Sequence, residues 1–242
     1  MNPIKISIVL PAYNEGKNIE KNVKTVYECF HNKLDNFEIV VVDDGSKDDT
    51  LKNAKLAAVD NSKVVVVAAP VNKGKGNALK LGVEAAKGEY IAFLDADLDI
   101  SPDYILNGLE MVEESGADII IASKWHKDSV LDYPFTRKII SYGYYTFIRI
   151  LFNLKVKDTQ TGAKIFKSKY IKKIMKQVKT DRYAFDIEIL AIANKHKLII
   201  QEMPVEIIFQ RGGIGRIGIK DIWVMIIDTL GIFYRVRLRK IR

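Results

Sequence analysis

Short runs rich in isoleucine and valine alternate with segments of helical period through the first half of the chain, and that alternation narrows the possible folds more than any other feature. Residues 5–10, 37–42, 63–68, 90–94 and 118–122 are apolar and short for helices, so they read as buried strands. Between them, 18–30, 50–59, 77–86 and 102–114 carry apolar residues at helical spacing, with Ser101 placed to cap the helix that Pro102 opens. Strand–helix alternation predicts an α/β fold: a mostly parallel sheet covered by helices on both faces, with ligands beyond the carboxyl ends of the strands. A chain of 242 residues, 48% of them hydrophobic, is long enough to build this as one domain without disulfide or zinc staples. Its single cysteine, Cys29, closes no intrachain disulfide and points to a reducing compartment.

After about residue 123 the alternation fades. An aromatic, basic segment (133–156) precedes a short apolar stretch (163–166). Residues 184–195 read as a helix, 198–208 as a strand, and 219–236 as a further helix after a glycine-rich loop at 212–218. The chain thus reads as a single domain (1–242) with a ligand-binding half (1–123), an acceptor-side half (124–218) and a basic amphipathic C-terminal helix (219–242). Lys and Arg outnumber Asp and Glu by 38 to 30, so an anionic partner is expected: nucleic acid, lipid headgroups or a phosphate substrate. The N-terminus lacks the layout of a signal peptide, and 139–156 is interrupted by Arg149 and Asn153, so any membrane contact is expected to be peripheral.

Chemistry-bearing residues collect where the strands end. Strand one runs into Pro11-Ala12-Tyr13-Asn14-Glu15 and strand two into Asp43-Asp44-Gly45-Ser46. An aromatic face can stack on a base and a carboxylate can accept from a ribose hydroxyl; the second segment reads equally well as a turn that caps the next helix. Strand four stops at Asp95-Ala96-Asp97. Two carboxylates there can hold a hard divalent cation that neutralises a diphosphate leaving group. An isolated Asp-x-Asp is commonly a solvated turn, and the position after a buried strand is what favours the cation. Asp99 is a weaker candidate that also suits a helix start. Gly74-Lys75-Gly76-Asn77 lacks the spacing of a Walker loop and reads as a turn before a helix, and His31, His126 and His196 form no metal-ligand spacing.

Assembled, these residues resemble the family 2 glycosyltransferases of GT-A type, in particular the dolichyl-phosphate glucosyltransferase and mannose synthase group. The resemblance rests on Ile8-Val9-Leu10-Pro11-Ala12-Tyr13-Asn14-Glu15, Val41-Val42-Asp43-Asp44-Gly45-Ser46, Asn72-Lys73-Gly74-Lys75-Gly76, Asp95-Ala96-Asp97 and Asp158-Thr159-Gln160-Thr161-Gly162. The last of these marks the polyprenyl-phosphate branch, and Phe185-Asp186-Ile187-Glu188 with Glu202-Met203-Pro204-Val205 is closer to its glucosyltransferase side. The resemblance implies a Rossmann-like GT-A fold in which Pro11, Tyr13, Glu15, Val41 and Asp43 line the base and ribose pocket. Asp44, Lys75, Ala96 and Lys124 join that nucleotide-sugar site, and Asp95, Asp97 and Gln160 surround a Mg2+ or Mn2+ ion. A bland reading of 158–162 is a tight turn in which Gly162 permits a positive φ. Where relatives often have Gly-Ser-Arg after strand five this chain has Ala122-Ser123-Lys124, which keeps a charge and loses the bidentate fork. Similarity assigns Arg137 to the lipid phosphate, and Arg211 and Arg216 to the sugar nucleotide on a loop able to close.

The resemblance implies an inverting transfer of a hexose from UDP-glucose, with GDP-mannose the rival donor, onto dolichyl or polyprenyl phosphate. Asp97, Arg137 and Arg211 would carry the chemistry, and a phosphate acceptor, anionic near neutrality, needs no general base. A hydroxyl acceptor on another glycan would need one, with Asp97 or Asp186 as candidates. A nucleotide-sugar-binding scaffold without turnover is the non-enzyme alternative. Residues 139–154 and 222–234 are expected as interfacial helices or as core, and 235–242 holds five cations that suit an anionic membrane surface at the cytoplasmic face. No motif for specific nucleic-acid recognition accompanies them.

Overall fold

The computed structural model describes residues 3–131, 135–182, 184–207 and 219–238. The first half builds β1 (Ile6–Ala12), α1 (Ile19–His31), β2 (Phe37–Asp43), α2 (Thr50–Ala58), β3 (Val64–Ala68), α3 (Lys75–Ala85), β4 (Tyr90–Phe93), α4 (Asp103–Ser115) and β5 (Ile119–Ala122). The second half adds β6 (Val130–Leu131), α5 (Phe135–Phe152), β7 (Lys164–Lys167), α6 (Ser168–Met175), α7 (Phe185–Lys195), β8 (Ile200–Met203), β9 (Glu206–Ile207) and α8 (Ile219–Phe233), which runs into a π-helical turn, Tyr234–Leu238.

Seven strands form one sheet in the order β3-β2-β1-β4-β7-β5-β8. The β1–β2, β1–β4, β2–β3 and β5–β8 pairs are parallel, and β7 lies antiparallel between β4 and β5. Because successive strand residues face opposite ways, Ile8, Leu10, Ile39 and Val41 join the core under α1 and α4. Val9, Val40 and Val42 face the opposite core under α3 and α7. Burial on both faces is why these strands read as unbroken apolar runs.

Four local expectations shift. The single strand expected over 198–208 splits into β8 and β9 because Pro204 has no N–H for a ladder; β9 pairs with β6 in a separate two-stranded sheet. The apolar stretch at 163–166 is the core strand β7, disguised because Lys164 is buried within it, and α6 follows at once. Helix α3 starts at Lys75, two residues earlier than the spacing indicated. The cap of α4 falls at Pro102, one residue later than expected, and Ser101 stands just outside it, accepting from the Asp103 N–H at 3.4 Å and donating to its carboxylate at 2.9 Å. β7 and β8 belong to the central sheet, so both halves of the sequence contribute strands to it.

Candidate active site

A cleft of about 620 Å³ opens above the carboxyl ends of β1, β2 and β4. Pro11, Ala12, Tyr13 and Glu15 come to it from the end of β1, Asp44 from the end of β2, Asn72 to Lys75 and Ala78 from the entry to α3, Asp95 to Asp97 from the end of β4, and Arg182 from the turn before α7. Backbone donors and short polar side chains fix its rim. The Asn14 N–H donates to Ser46 Oγ at 3.0 Å while Asn14 Oδ1 accepts from the Lys47 N–H at 3.0 Å. This clasp holds the turn after β1 to the turn after β2, with Asn14 in the left-handed region at φ 54°.

Buried Asp44 accepts from the Gly74 N–H at 2.8 Å and the Lys73 N–H at 3.3 Å, which bends the loop before α3 over the cleft. Gly74 and Gly76 serve packing here. A Cβ on Gly74 would stand 2.6 Å from the Asp181 carbonyl oxygen, and one on Gly76 would stand 2.7 Å from the Phe185 ring. The missing side chains let the turn before α7 close onto this loop, and the Gly76 N–H donates to the Asp181 carbonyl at 2.9 Å.

The Asp95-Ala96-Asp97 turn is held from two sides. Asn22 Nδ2 on α1 donates to the Ala96 carbonyl at 2.8 Å, and Leu98 adopts φ 54° while its N–H donates to the Asp95 carbonyl at 3.1 Å. A non-glycine residue held in this conformation is local strain of the kind that collects at functional sites. Lys75 Nζ lies 2.5 Å from Asp95 Oδ1. Burial disfavours the Lys75 ammonium, but the fields of Asp95, Asp186 and Asp97 together outweigh it, and its pKa is raised above the ordinary lysine value.

The segment 158–162 is built against the same carboxylate. A Cβ on Gly162 would stand 2.2 Å from Asp95 Oδ2, and Gly162 is not among the residues of positive φ. Glycine is needed there for close approach, which corrects the reading of a turn residue needing left-handed backbone. Asp158 organises the loop: its carboxylate accepts from the Lys124 N–H at 2.9 Å, the Gln160 N–H at 3.1 Å and Thr161 Oγ1 at 2.5 Å. Glu202 on β8 in turn accepts from the Lys157 and Asp158 N–H groups at 2.8 and 3.1 Å. Beneath the loop, fully buried Lys164 donates to Asp186 Oδ1 at 2.7 Å and to the Thr161 carbonyl.

The donor set fits a hard divalent cation. Asp95 and Asp97 bring carboxylate oxygens to one side of the cleft, and the Lys75 ammonium on Asp95 marks a place that attracts positive charge. Among the described residues no three His, Cys, Asp or Glu side chains converge as a closed protein cage. Two carboxylates with room for further oxygens are what a metal shared with a diphosphate requires.

Residues 7–175 match the model of Glycosyl transferase family 2. The chain belongs to this family. It is 30% identical over 220 residues to the dolichyl-phosphate beta-glucosyltransferase of Dictyostelium discoideum, covering 84% of this chain and 67% of that protein. It is 32% identical over 252 residues to dolichyl-phosphate beta-glucosyltransferase ALG5D of Trichomonas vaginalis, covering 99% and 76%. Against glycosyltransferase AglD of Haloferax volcanii the identity is 29% over 205 residues, which is 84% of this chain and 33% of that protein. This chain therefore spans about a third of AglD. Among solved structures, glucosyl-3-phosphoglycerate synthase of Mycobacterium tuberculosis in complex with Mn2+, UDP and phosphoglyceric acid superposes with a TM-score of 0.72 at 20% identity, over 96% of this chain and 78% of that one. The shared architecture is GT-A-like, with helices on both faces of a mostly parallel sheet.

In this family 2 transferase the cleft brings together Pro11, Tyr13, Glu15, Asp44, Lys75, Asp95, Ala96 and Asp97. Other expected contacts fall elsewhere. The Val41 side chain is wholly in the core because its strand is covered on both faces, and Asp43 turns back to accept from the Ser46 N–H at 3.3 Å. The Lys124 ammonium faces Asp158 at 3.7 Å and does not line the cleft. Gln160 lies two residues from the Gly162 contact with Asp95, on the loop that Asp158 shapes. Arg211 and Arg216 lie outside the described residues, and of Arg137 only the backbone, within α5, is described. Arg182 was not singled out from sequence, and Asn72 and Lys73 were read as part of the 72–76 motif without a role in the site. The only signal for Arg182 was indirect, in the two glycines whose missing side chains admit its turn.

Proposed function

We propose that this family 2 transferase moves glucose from UDP-glucose to dolichyl or polyprenyl phosphate, with inversion, to give a β-linked lipid-phosphate sugar, at a membrane surface on its cytoplasmic face. The observation that carries this reading is the pair Asp95 and Asp97 in one cleft with Tyr13, at the strand ends where a nucleotide sugar binds in an α/β sheet. The names of the Dictyostelium and Trichomonas relatives support glucose and dolichyl phosphate. The Mn2+ and UDP bound by the mycobacterial synthase support the metal and the uridine nucleotide.

Tyr13 and Pro11 present an apolar wall for the base, and Glu15 and Asp44 offer acceptors to ribose hydroxyls. When bound on Asp95, Asp97 and Gln160, Mg2+ or Mn2+ supplies charge neutralisation for the departing diphosphate. Lys75 and Arg182 add positive charge from the α3 entry and the turn before α7. The assigned arginines, Arg137 for the lipid phosphate and Arg211 with Arg216 for the sugar nucleotide, would bring two anions together, which is the principal barrier to this encounter. A phosphate monoester, with a second pKa of about 6, attacks the anomeric carbon without losing a proton to the protein. Asp186 supports an acceptor of that kind: Lys164 holds its oxygen at 2.7 Å in a buried ion pair, a poor arrangement for a general base. Single-domain organisation over 1–242 belongs to the same proposal, with α8 and the face of α5 that carries Ile150 meeting the lipid surface.

A donor and acceptor panel tests it. UDP-glucose, UDP-N-acetylglucosamine and GDP-mannose, each radiolabelled, are offered with dolichyl phosphate or 3-phosphoglycerate. Glucose label in the lipid phase is expected. Mannose label there would overturn the donor, and label on 3-phosphoglycerate alone would overturn the acceptor.

A further inference from the structure

The Asp95 side chain is 41% exposed, and its two carboxylate oxygens meet different neighbours. Oδ2 faces Gly162, where even a methyl group would stand 2.2 Å away, and Oδ1 carries the Lys75 ammonium at 2.5 Å. A cation approaching Asp95 therefore meets a positive charge already seated on the accessible oxygen. Lys75 is about a third exposed and rises from the first residue of α3, so its chain can swing without disturbing the helix. It cannot leave cheaply for nothing, because the neighbouring anions Asp97 and Asp186 lie in the same field that a divalent cation would neutralise. A nucleotide diphosphate entering the cleft provides what the displaced ammonium lacks, a new anion within reach of the α3 entry.

We infer that Lys75 is a resident counter-ion of Asp95 that resists divalent metal alone and yields the carboxylate when metal and a nucleotide diphosphate arrive together. This rests on the proposed metal reading of Asp95 and Asp97 and adds a coupling between the two ligands. By linkage, the factor by which the nucleotide tightens metal binding equals the factor by which metal tightens the nucleotide. Lys75 contributes to that factor from both sides, by competing with free metal and by gripping the diphosphate once released.

Mn2+ binding followed by electron paramagnetic resonance, on the full chain with and without UDP, reads this directly without turnover. Lys75→Met keeps the length of the side chain and removes the charge. It is expected to bind Mn2+ alone about two- to fivefold more tightly than the wild type, the scale of a partly exposed ion pair, and to lose most of the tightening that UDP produces. Lys75→Arg retains the charge and is expected to bind Mn2+ alone as weakly as the wild type, which separates charge from any packing change at the α3 entry. Unchanged or weaker Mn2+ affinity in Lys75→Met, with UDP-dependent Mn2+ binding intact in the wild type, would overturn the inference while leaving the metal reading in place. No Mn2+ binding by the wild type even with UDP would overturn both.

Discussion

Gly162 shows how narrow the tolerances are around Asp95. Its backbone is not left-handed, so alanine meets no conformational penalty there, and its entire effect comes from a methyl group driven into the Asp95 carboxylate. Gly162→Ala is expected to cost about 1–3 kcal/mol of stability by overpacking and to lower transfer by more than that loss explains, because Asp95 must move. Thermal melts with steady-state kinetics check this, and wild-type values for both would contradict the geometry. Asp48 offers a residue whose contribution is set by pH. Its desolvation raises the pKa, but hydrogen bonds from Thr50 Oγ1 and from the Gly16 and Thr50 N–H groups outweigh it, leaving a net lowering. A lowered folded pKa means stabilisation that is present above the unfolded value, about 4, and is lost as pH falls through the folded value. The melting-temperature gap between wild type and Asp48→Asn is therefore expected to be largest near neutrality and to shrink below pH about 4; a gap independent of pH would show that the charge on Asp48 does not matter.

At the scale of elements, a buried carboxylate fastens the C-terminal helix to α7. Glu188 on α7 is fully buried and accepts from the Lys179 and Thr180 N–H groups at 3.0 and 2.7 Å and from Arg235 Nη2 at 2.8 Å. Arg235 also donates to Thr180 Oγ1 at 3.0 Å, and Arg237 Nη2 donates to the Phe152 carbonyl at 2.5 Å. Two of the five cations read as a lipid-binding tail are thus hydrogen-bonded to the protein's own groups, and the other three lie outside the described residues. Arg235→Met leaves a buried charge short of one partner and is expected to destabilise by about 2–4 kcal/mol, with earlier proteolysis near the end of α8. An unchanged melt would mean that the backbone donors alone suffice. The first-half elements were legible because strands covered on both faces are continuously apolar and their helices keep one apolar stripe. β7 was not, because four residues carry no periodicity and one of them is a lysine whose burial depends on Asp186, 22 residues away. The same limit hid Arg182, since the contact that carries it to the cleft is made by an absence of side chains on another loop.

Across the described residues, the cleft at the strand ends is combined with an apolar margin. Val224, Ile227, Leu230, Tyr234 and Leu238 are exposed along α8 and its π-helical end, while Met225, Ile232 and Val236 point into the core. Ile150 on α5 is 77% exposed beside core residues Ile148 and Phe152. Each helix is therefore core on one side and open on the other: the core expectation holds for the inner faces, and a lipid contact of the outer faces belongs to the proposal. Among the described residues no helix is long and apolar enough to cross a membrane. Ile227→Asp with Leu230→Asp changes only exposed positions; it is expected to leave the fold intact and to reduce flotation with anionic vesicles several-fold, as buried apolar area is replaced by like charge. Unchanged flotation would remove α8 from the membrane account.

The central claim is that Asp95 and Asp97 support a cation-dependent sugar transfer onto a lipid phosphate. The most direct test is transfer of labelled glucose from UDP-glucose into dolichyl phosphate by the wild type, after chelation, after restoring Mn2+, and by Asp97→Ala. The account predicts label in the lipid phase that chelation abolishes and Mn2+ restores, and a loss of about a thousandfold or more in a folded Asp97→Ala protein. Transfer that persists through chelation and in Asp97→Ala would contradict it.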